Sequence, residues 1–332
     1  MESEMSSKVL PITTHTLVEC NLTLMFQFSI LQSSSSDVIP WLINKYTNIQ
    51  HNPATDDKFE LVRDSNWFPK DKVFHRHYYS LKTDYKDSED FRLLDMIRSL
   101  LEDDQYVNGS FDSYYVPTSD NYRIIHCIKN YLVYGYNDEL QELHIVSYTN
   151  DYTYDSFVIN YCDFILAIKN RYDNTIIING IKVKPGFDFS LKTEQICNGL
   201  YDFLNSCHRD DYLSLGPKKI YGVACLEEYK RYLQNVGYMT EFIRRGSYYS
   251  IHDYQMIMCL RAEVLIKRNA LLDNMTTLID ELRLYAEDFK NNCQLYNATR
   301  DITILKTIID LFEVSSALTV SLAKKVYDTL SS

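Results

Sequence analysis

Residues 20–31 read Cys20-Asn21-Leu22-Thr23-Leu24-Met25-Phe26-Gln27-Phe28-Ser29-Ile30-Leu31. From Leu22 to Leu31 apolar side chains fall on nearly every side of a helix, and a helix apolar all round is a buried one. Ser33 to Asp37 ends it as a loop, and Asp37 is expected to cap the next segment, around Trp41 to Ile49. The thiol of Cys20 stands just ahead of the helix. Helix N-termini carry partial positive charge and free N–H groups, which favour a thiolate over a thiol. One buried helix carrying a cysteine at its head therefore sets the first expectation for both fold and chemistry.

Downstream the chain changes character. Residues 51 to 72 are polar, contain Pro53 and Pro69, and read as irregular. Phe74 to Leu81 reads as a short strand, and Ser88 to Leu101 as an amphipathic helix with Phe91, Leu94, Ile97, Leu100 and Leu101 on one face. The middle third is β in pattern: Phe111 to Val116 as a strand, and Tyr131 to Tyr136 with Leu143 to Tyr148 as an antiparallel pair. Asn179-Gly180 between apolar runs predicts a hairpin over Thr175 to Lys184. From Leu191 the pattern is helical: Leu191 to Ser206, Cys225 to Gln234, then Asp253 to Asn274, Thr276 to Asn291 and Ile302 to Leu330. Ile304, Ile308, Leu311 and Phe312 recur at three and four along the last. The expected class is α+β, with residues 1–188 as an α+β core and 189–332 as a helical bundle packed on it.

Composition narrows function by exclusion. The 332 residues are 45% hydrophobic and 24% charged, enough to bury a core. Acids outnumber bases by 45 to 34, a net charge of −11, which disfavours a phosphate-binding surface and hence nucleic acid. The acidic opening Met1-Glu2-Ser3-Glu4-Met5 and the lack of a long apolar run predict a cytoplasmic protein that neither enters a membrane nor is exported. Eight cysteines are scattered with no Cys-x-x-Cys pair, so most are expected as reduced, small apolar residues rather than disulfides or zinc ligands. The sequence contains no phosphate-cradling glycine motif, no His-Glu-x-x-His and no Gly-x-Ser-x-Gly, and no cofactor is expected. His75 and His77 share a strand face; a hydrogen-bonded surface pair is the expectation, with metal ligation the alternative.

The long-range pattern resembles a known family. Papain-like enzymes place a nucleophilic cysteine at the head of a central buried helix, and their base at the start of a later strand that runs into a Gly-Tyr corner. Tyr131 to Asp138, with Gly135-Tyr136, looks like that strand. Together with Pro40-Trp41, Tyr46, Phe74 to Leu81, Asp112 to Pro117, Ile220 to Val223 and the helices beyond Asp253, the chain resembles papain-fold acyltransferases of the butirosin-biosynthesis N-terminal-domain type, found in bacterial antibiotic gene clusters. The resemblance implies a papain-like fold and amide-forming acyl transfer in specialised metabolism. In that family a cysteine takes an acyl group from a carrier-protein thioester and passes it to an amine. The phosphopantetheine would then belong to the partner.

Carried over residue by residue, Cys20 is the nucleophile, and Asn150 or Asp151 orients the base. The base itself departs from the pattern, because the family's spacing back from Gly135 gives Lys129, not histidine. His126 is the nearest imidazole, at an odd offset that would turn it to the opposite strand face unless a bulge intervened between Cys127 and Tyr131. Tyr114 and Tyr115 are candidates to line the substrate pocket, with core packing the competing and preferred reading, and Lys129 joins them if it is not the base. Implied partners are an acyl- or peptidyl-carrier protein and a small-molecule amine, with a homodimer the assembly to test for. An acidic carrier would need a basic patch, for which Lys218-Lys219, Arg244-Arg245 and Lys267-Arg268 are candidates. The competing reading is a catalytically silent papain-fold protein that binds a peptide, carrier or metabolite in the old cleft.

Overall fold

The structure, a computed structural model, describes residues 6–35, 37–53, 58–62, 73–82, 90–150, 153–169, 175–208, 218–239, 242–268 and 275–331. It is α+β, with antiparallel sheets, and divides into two compact units. The first holds Met1–Thr16, Leu22–Ser36 and Phe68–Asp188; the second holds Leu17–Asn21, Asp37–Trp67 and Phe189–Ser332. Among the described residues no helix is long and apolar enough to cross a membrane.

In the first unit β1 (Ser7–Val9), β4 (Phe74–Lys82), β5 (Tyr106–Asp112), β6 (Ile128–Asn137), β7 (Glu142–Tyr148), β8 (Tyr154–Asn160) and β9 (Thr175–Val183) form one sheet. Its order is β4-β9-β5-β6-β7-β8, with β1 paired to the far end of β6. The helix α1 (Leu22–Ser34) lies against β6 and β9 and is buried from Leu24 through Leu31 without a break, as its unbroken apolar run requires. Helices α3 (Asp90–Glu102) and α4 (Tyr161–Lys169) complete this unit. The strand pair anticipated from Tyr131 and Leu143 is β6–β7, with Leu132 opposite Val146.

Three local expectations fail. Asn179-Gly180 is no hairpin: β9 runs straight through it, with Gly180 paired to His77 of β4 and Val107 of β5. The glycine serves close packing, since a Cβ there would strike the Gln105 side chain and come within 2.9 Å of Leu100. The Phe111 strand ends at Asp112, whose carboxylate takes the N–H of Tyr114 and starts a 3-10 turn, Ser113–Tyr115. The N-cap position of the next helix, α2 (Ile39–Lys45), is Val38 rather than Asp37, with Pro40 in the first turn, where a missing N–H costs nothing.

The second unit carries a small sheet in the order β10 (Ile220–Tyr221), β2 (Ile49–Asn52), β3 (Lys58–Leu61). Both β2 and β3 fall in or beside the stretch read as irregular. Around them lie α2, α5 (Thr193–Leu204), α6 (Gly222–Met239), α7 (Arg245–Arg268), α8 (Thr276–Thr299) and α9 (Thr303–Ser331), with α8 packed on both α7 and α9. The core here is aromatic: Tyr229, fully buried, meets Phe59 edge-on at 4.8 Å and Phe312 at 5.1 Å between ring centres. Gly216-Pro217 lies outside the described residues.

Candidate functional site

In the first unit the loop between β5 and β6 builds an oriented imidazole. Asp112, at the end of β5, is fully buried. Its Oδ1 accepts the backbone N–H groups of Tyr114 (3.1 Å) and Cys127 (3.2 Å), and its Oδ2 lies 2.6 Å from Nδ1 of His126. A carboxylate only accepts, so Nδ1 carries the hydrogen, and in the neutral ring Nε2 keeps its lone pair. The ring stacks on Tyr114 at 4.2 Å between centres, with Tyr115 at 5.9 Å, while the His126 side chain stays 54% exposed. Ser113 fastens the loop from below, donating from N and Oγ to the Cys127 carbonyl. A buried carboxylate, an imidazole held through Nδ1 and a half-exposed ring together form an arrangement that can act as a general base.

Of the residues anticipated for chemistry, His126, Tyr114 and Tyr115 are thus brought together. His126 precedes β6, which begins at Ile128, so strand parity does not govern where its ring points. The bulge in β6 falls between Val133 and Gly135, not between Cys127 and Tyr131. Lys129, on β6, ends in an ion pair with Asp120. Asn150 is an exposed turn residue after β7, and Asp151 lies outside the described residues. The carboxylate that holds His126 is Asp112, fourteen residues away across a loop, and no local spacing in the sequence marks it. On β4, His77 bonds Gln105 through Nδ1 at 2.7 Å, and His75 is exposed.

Cys20, half-buried, belongs to the second unit. Its backbone N–H and that of Glu19 both donate to one oxygen, Oδ2 of Asp253, at 2.7 Å each. Asp253 sits on α7 and is 1% exposed. Beside it His252 is also buried, with Nδ1 3.4 Å from Asp253 Oδ1 and Nε2 3.1 Å from Glu287 Oε1 on α8. Lys290 continues the chain, 3.0 Å from Glu287 and 3.8 Å from Glu19. Burial alone would lower the His252 pKa, but its bonds to Asp253 and Glu287 outweigh that and raise it. The His252 hydrogen bond, aided by Lys290 and opposed by burial, holds Glu287 down at about 2.

These shifts have opposite linkage. The raised His252 pKa gives stability that is present below its ordinary 6.5 and is lost as pH rises through the folded value. The lowered Glu287 pKa gives stability present above 4.5 and lost as pH falls toward 2. The Tm difference between wild type and Glu287→Gln is therefore expected to be widest at about pH 5.5 and to shrink on either side. A pH-independent difference in thermal melts would disprove the linkage.

The second unit also has a cleft of about 470 Å³, lined among others by Lys45, Asn48, Lys192, Glu194, Asp202 and His208. Among the described residues, no group of three or more His, Cys, Asp or Glu side chains is placed to hold a metal ion. Compared with known proteins, the chain matches no protein-family model and no curated protein.

Proposed function

We propose that this protein is a cysteine-dependent acyltransferase of papain-like architecture, forming an amide from a carrier-bound or small-molecule thioester. On the family resemblance, Cys20 is the nucleophile and His126, the nearest imidazole, the base; Asp112 is the group that orients His126. The observation that carries the reading is the His126–Asp112 pair: a half-exposed imidazole pinned at 2.6 Å by a fully buried carboxylate has little use as packing. In the first step the Cys20 thiolate attacks the thioester carbonyl, and the carrier thiol leaves with the proton held by the imidazolium. In the second an amine attacks the acyl-cysteine, gives its proton to His126 and releases the thiolate. A binding protein of the same fold is the second reading. It is favoured by Lys129 at the family's histidine position, already paired with Asp120.

The test is the alkylation rate of every cysteine against pH with iodoacetamide, read by peptide mass in the native protein. Cys20 is expected to react well below the ~8.5 of a free thiol, and His126→Ala to abolish that low-pH reactivity. Cys20→Ser is expected to remove acyl loading from a simple thioester. If Cys20 titrates like its seven companions, the enzyme reading fails and the binding reading stands.

A further inference from the structure

The segment Leu17–Asn21 is short, yet it is held by more than its own turns. Val18 is fully buried, Glu19 reaches Lys290, and two successive amides, those of Glu19 and Cys20, converge on one oxygen of a buried carboxylate. Adjacent amides point at one acceptor only when the chain between them curls around it, so the bonds fix the backbone torsions from which the Cys20 side chain departs. Asp253 is itself braced: His252 beside it, Glu287 and Lys290 on α8, and the Glu19 carboxylate close a ring of polar contacts that returns to the same segment. A lone surface turn needs no such support. A reacting atom held to a fraction of an ångström does.

We propose that Asp253 is the positioning residue for Cys20, and that the ring through His252, Glu287, Lys290 and Glu19 is its brace. This rests on the acyltransferase reading above. Asp253 acts through the backbone and touches neither acyl group nor amine. What matters is where its Oδ2 lies, rather than its charge.

Two substitutions in the full-length chain separate geometry from charge. Asp253→Asn keeps an oxygen at the position of Oδ2 and loses the charge; Asp253→Glu keeps the charge and moves the oxygen outward by one methylene. The rate of single-turnover loading of Cys20 from acetyl-N-acetylcysteamine, read by intact mass, is expected to stay within about threefold of wild type for Asp253→Asn. For Asp253→Glu it is expected to fall by about tenfold or more, since a displacement near 1 Å at a reacting group can cost a hundredfold. Alkylation of the other seven cysteines should not change, which marks the loss as local. Amide hydrogen exchange, resolved to Glu19 and Cys20, should show protection in wild type and Asp253→Asn and its loss in Asp253→Glu.

The proposal is overturned if Asp253→Glu loads at the wild-type rate, if Asp253→Asn is as slow as Asp253→Glu, or if the two amides exchange freely in wild type. Wild-type Cys20 that fails to load overturns the catalytic purpose of the clamp. Protected Glu19 and Cys20 amides in that same protein would show that the acyltransferase reading had failed, and not the geometry. The exchange measurement needs no activity and no variant, so it stands even where a substitution prevents folding.

Discussion

If Cys20 is acylated with His126 as its base, as proposed, Asp112→Asn is expected to lower the rate of that acylation by about 10²- to 10⁴-fold, the range a positioned general base supplies, and to leave the fold intact. The amide oxygen of asparagine can replace Oδ1 and go on accepting the N–H groups of Tyr114 and Cys127, so the turn Ser113–Tyr115 and the His126 loop hold their shape. The amide nitrogen, placed where Oδ2 was, donates to Nδ1 of His126 instead of accepting from it. That selects the opposite tautomer: Nε2 then carries the hydrogen and has no lone pair with which to take a proton. The same argument predicts that Asp112→Asn and His126→Ala are not additive, because both remove one function. Single-turnover loading at several pH values, with near-UV circular dichroism as the check on folding, measures this. A wild-type rate for Asp112→Asn would mean that His126 is not the base.

What the sequence discloses and what it hides follow one division, between local pattern and distant pairing. The burial of α1 is legible because its apolar residues leave no polar face, and α8 and α9 because their core positions recur at three and four. The strands β2 and β3 are not legible. Among their inward residues is His51, which is buried by stacking on Phe59 at 4.3 Å between ring centres, a pairing invisible along the chain. Asn179-Gly180 carries a strong local turn signal that tertiary packing overrides, because the space over Gly180 is needed for Gln105 and Leu100. The candidate residues divide in the same way. Cys20 at the head of an apolar helix is a local feature, and His126 is the nearest imidazole to the expected strand. Their supports are not local: Asp112 meets His126 across a loop, and Asp253 meets Cys20 from 233 residues away.

Arg261→Ala is expected to destabilise the protein by about 3–5 kcal/mol, the upper range for cutting a large buried side chain back to alanine, with the carbonyls it bonds left unpartnered. Arg261 is fully buried on α7, and among the described residues no carboxylate pairs with it. Apart from the Met258 Sδ, 3.5 Å from Nη1, its partners are backbone carbonyls at the end of α2. Nε and Nη2 donate to Ile43 O at 3.2 and 3.0 Å, and Nη2 also to Tyr46 O at 2.7 Å. A helix C-terminus leaves its last carbonyls without intrahelical partners and carries partial negative charge, so a guanidinium there is both cap and counter-charge. Tyr254, two turns earlier on the same face of α7, donates to Thr47 O at 3.2 Å and extends the cap by one carbonyl. Burial pushes the Arg261 pKa down to about 10, so the cation is held at a cost that the carbonyl dipoles must offset. Lysine cannot reproduce a fork that spans two carbonyls. Arg261→Met keeps the apolar stem and removes the buried charge but strands the same carbonyls, so its expected loss is smaller, about 1–3 kcal/mol. Urea unfolding followed by tryptophan fluorescence reads the change next to the cap, since Trp41 lies within α2. The order wild type, Met, Ala in decreasing stability is the expected result. If Arg261→Met equals or exceeds wild type, the guanidinium is not capping α2, and its burial needs another cause.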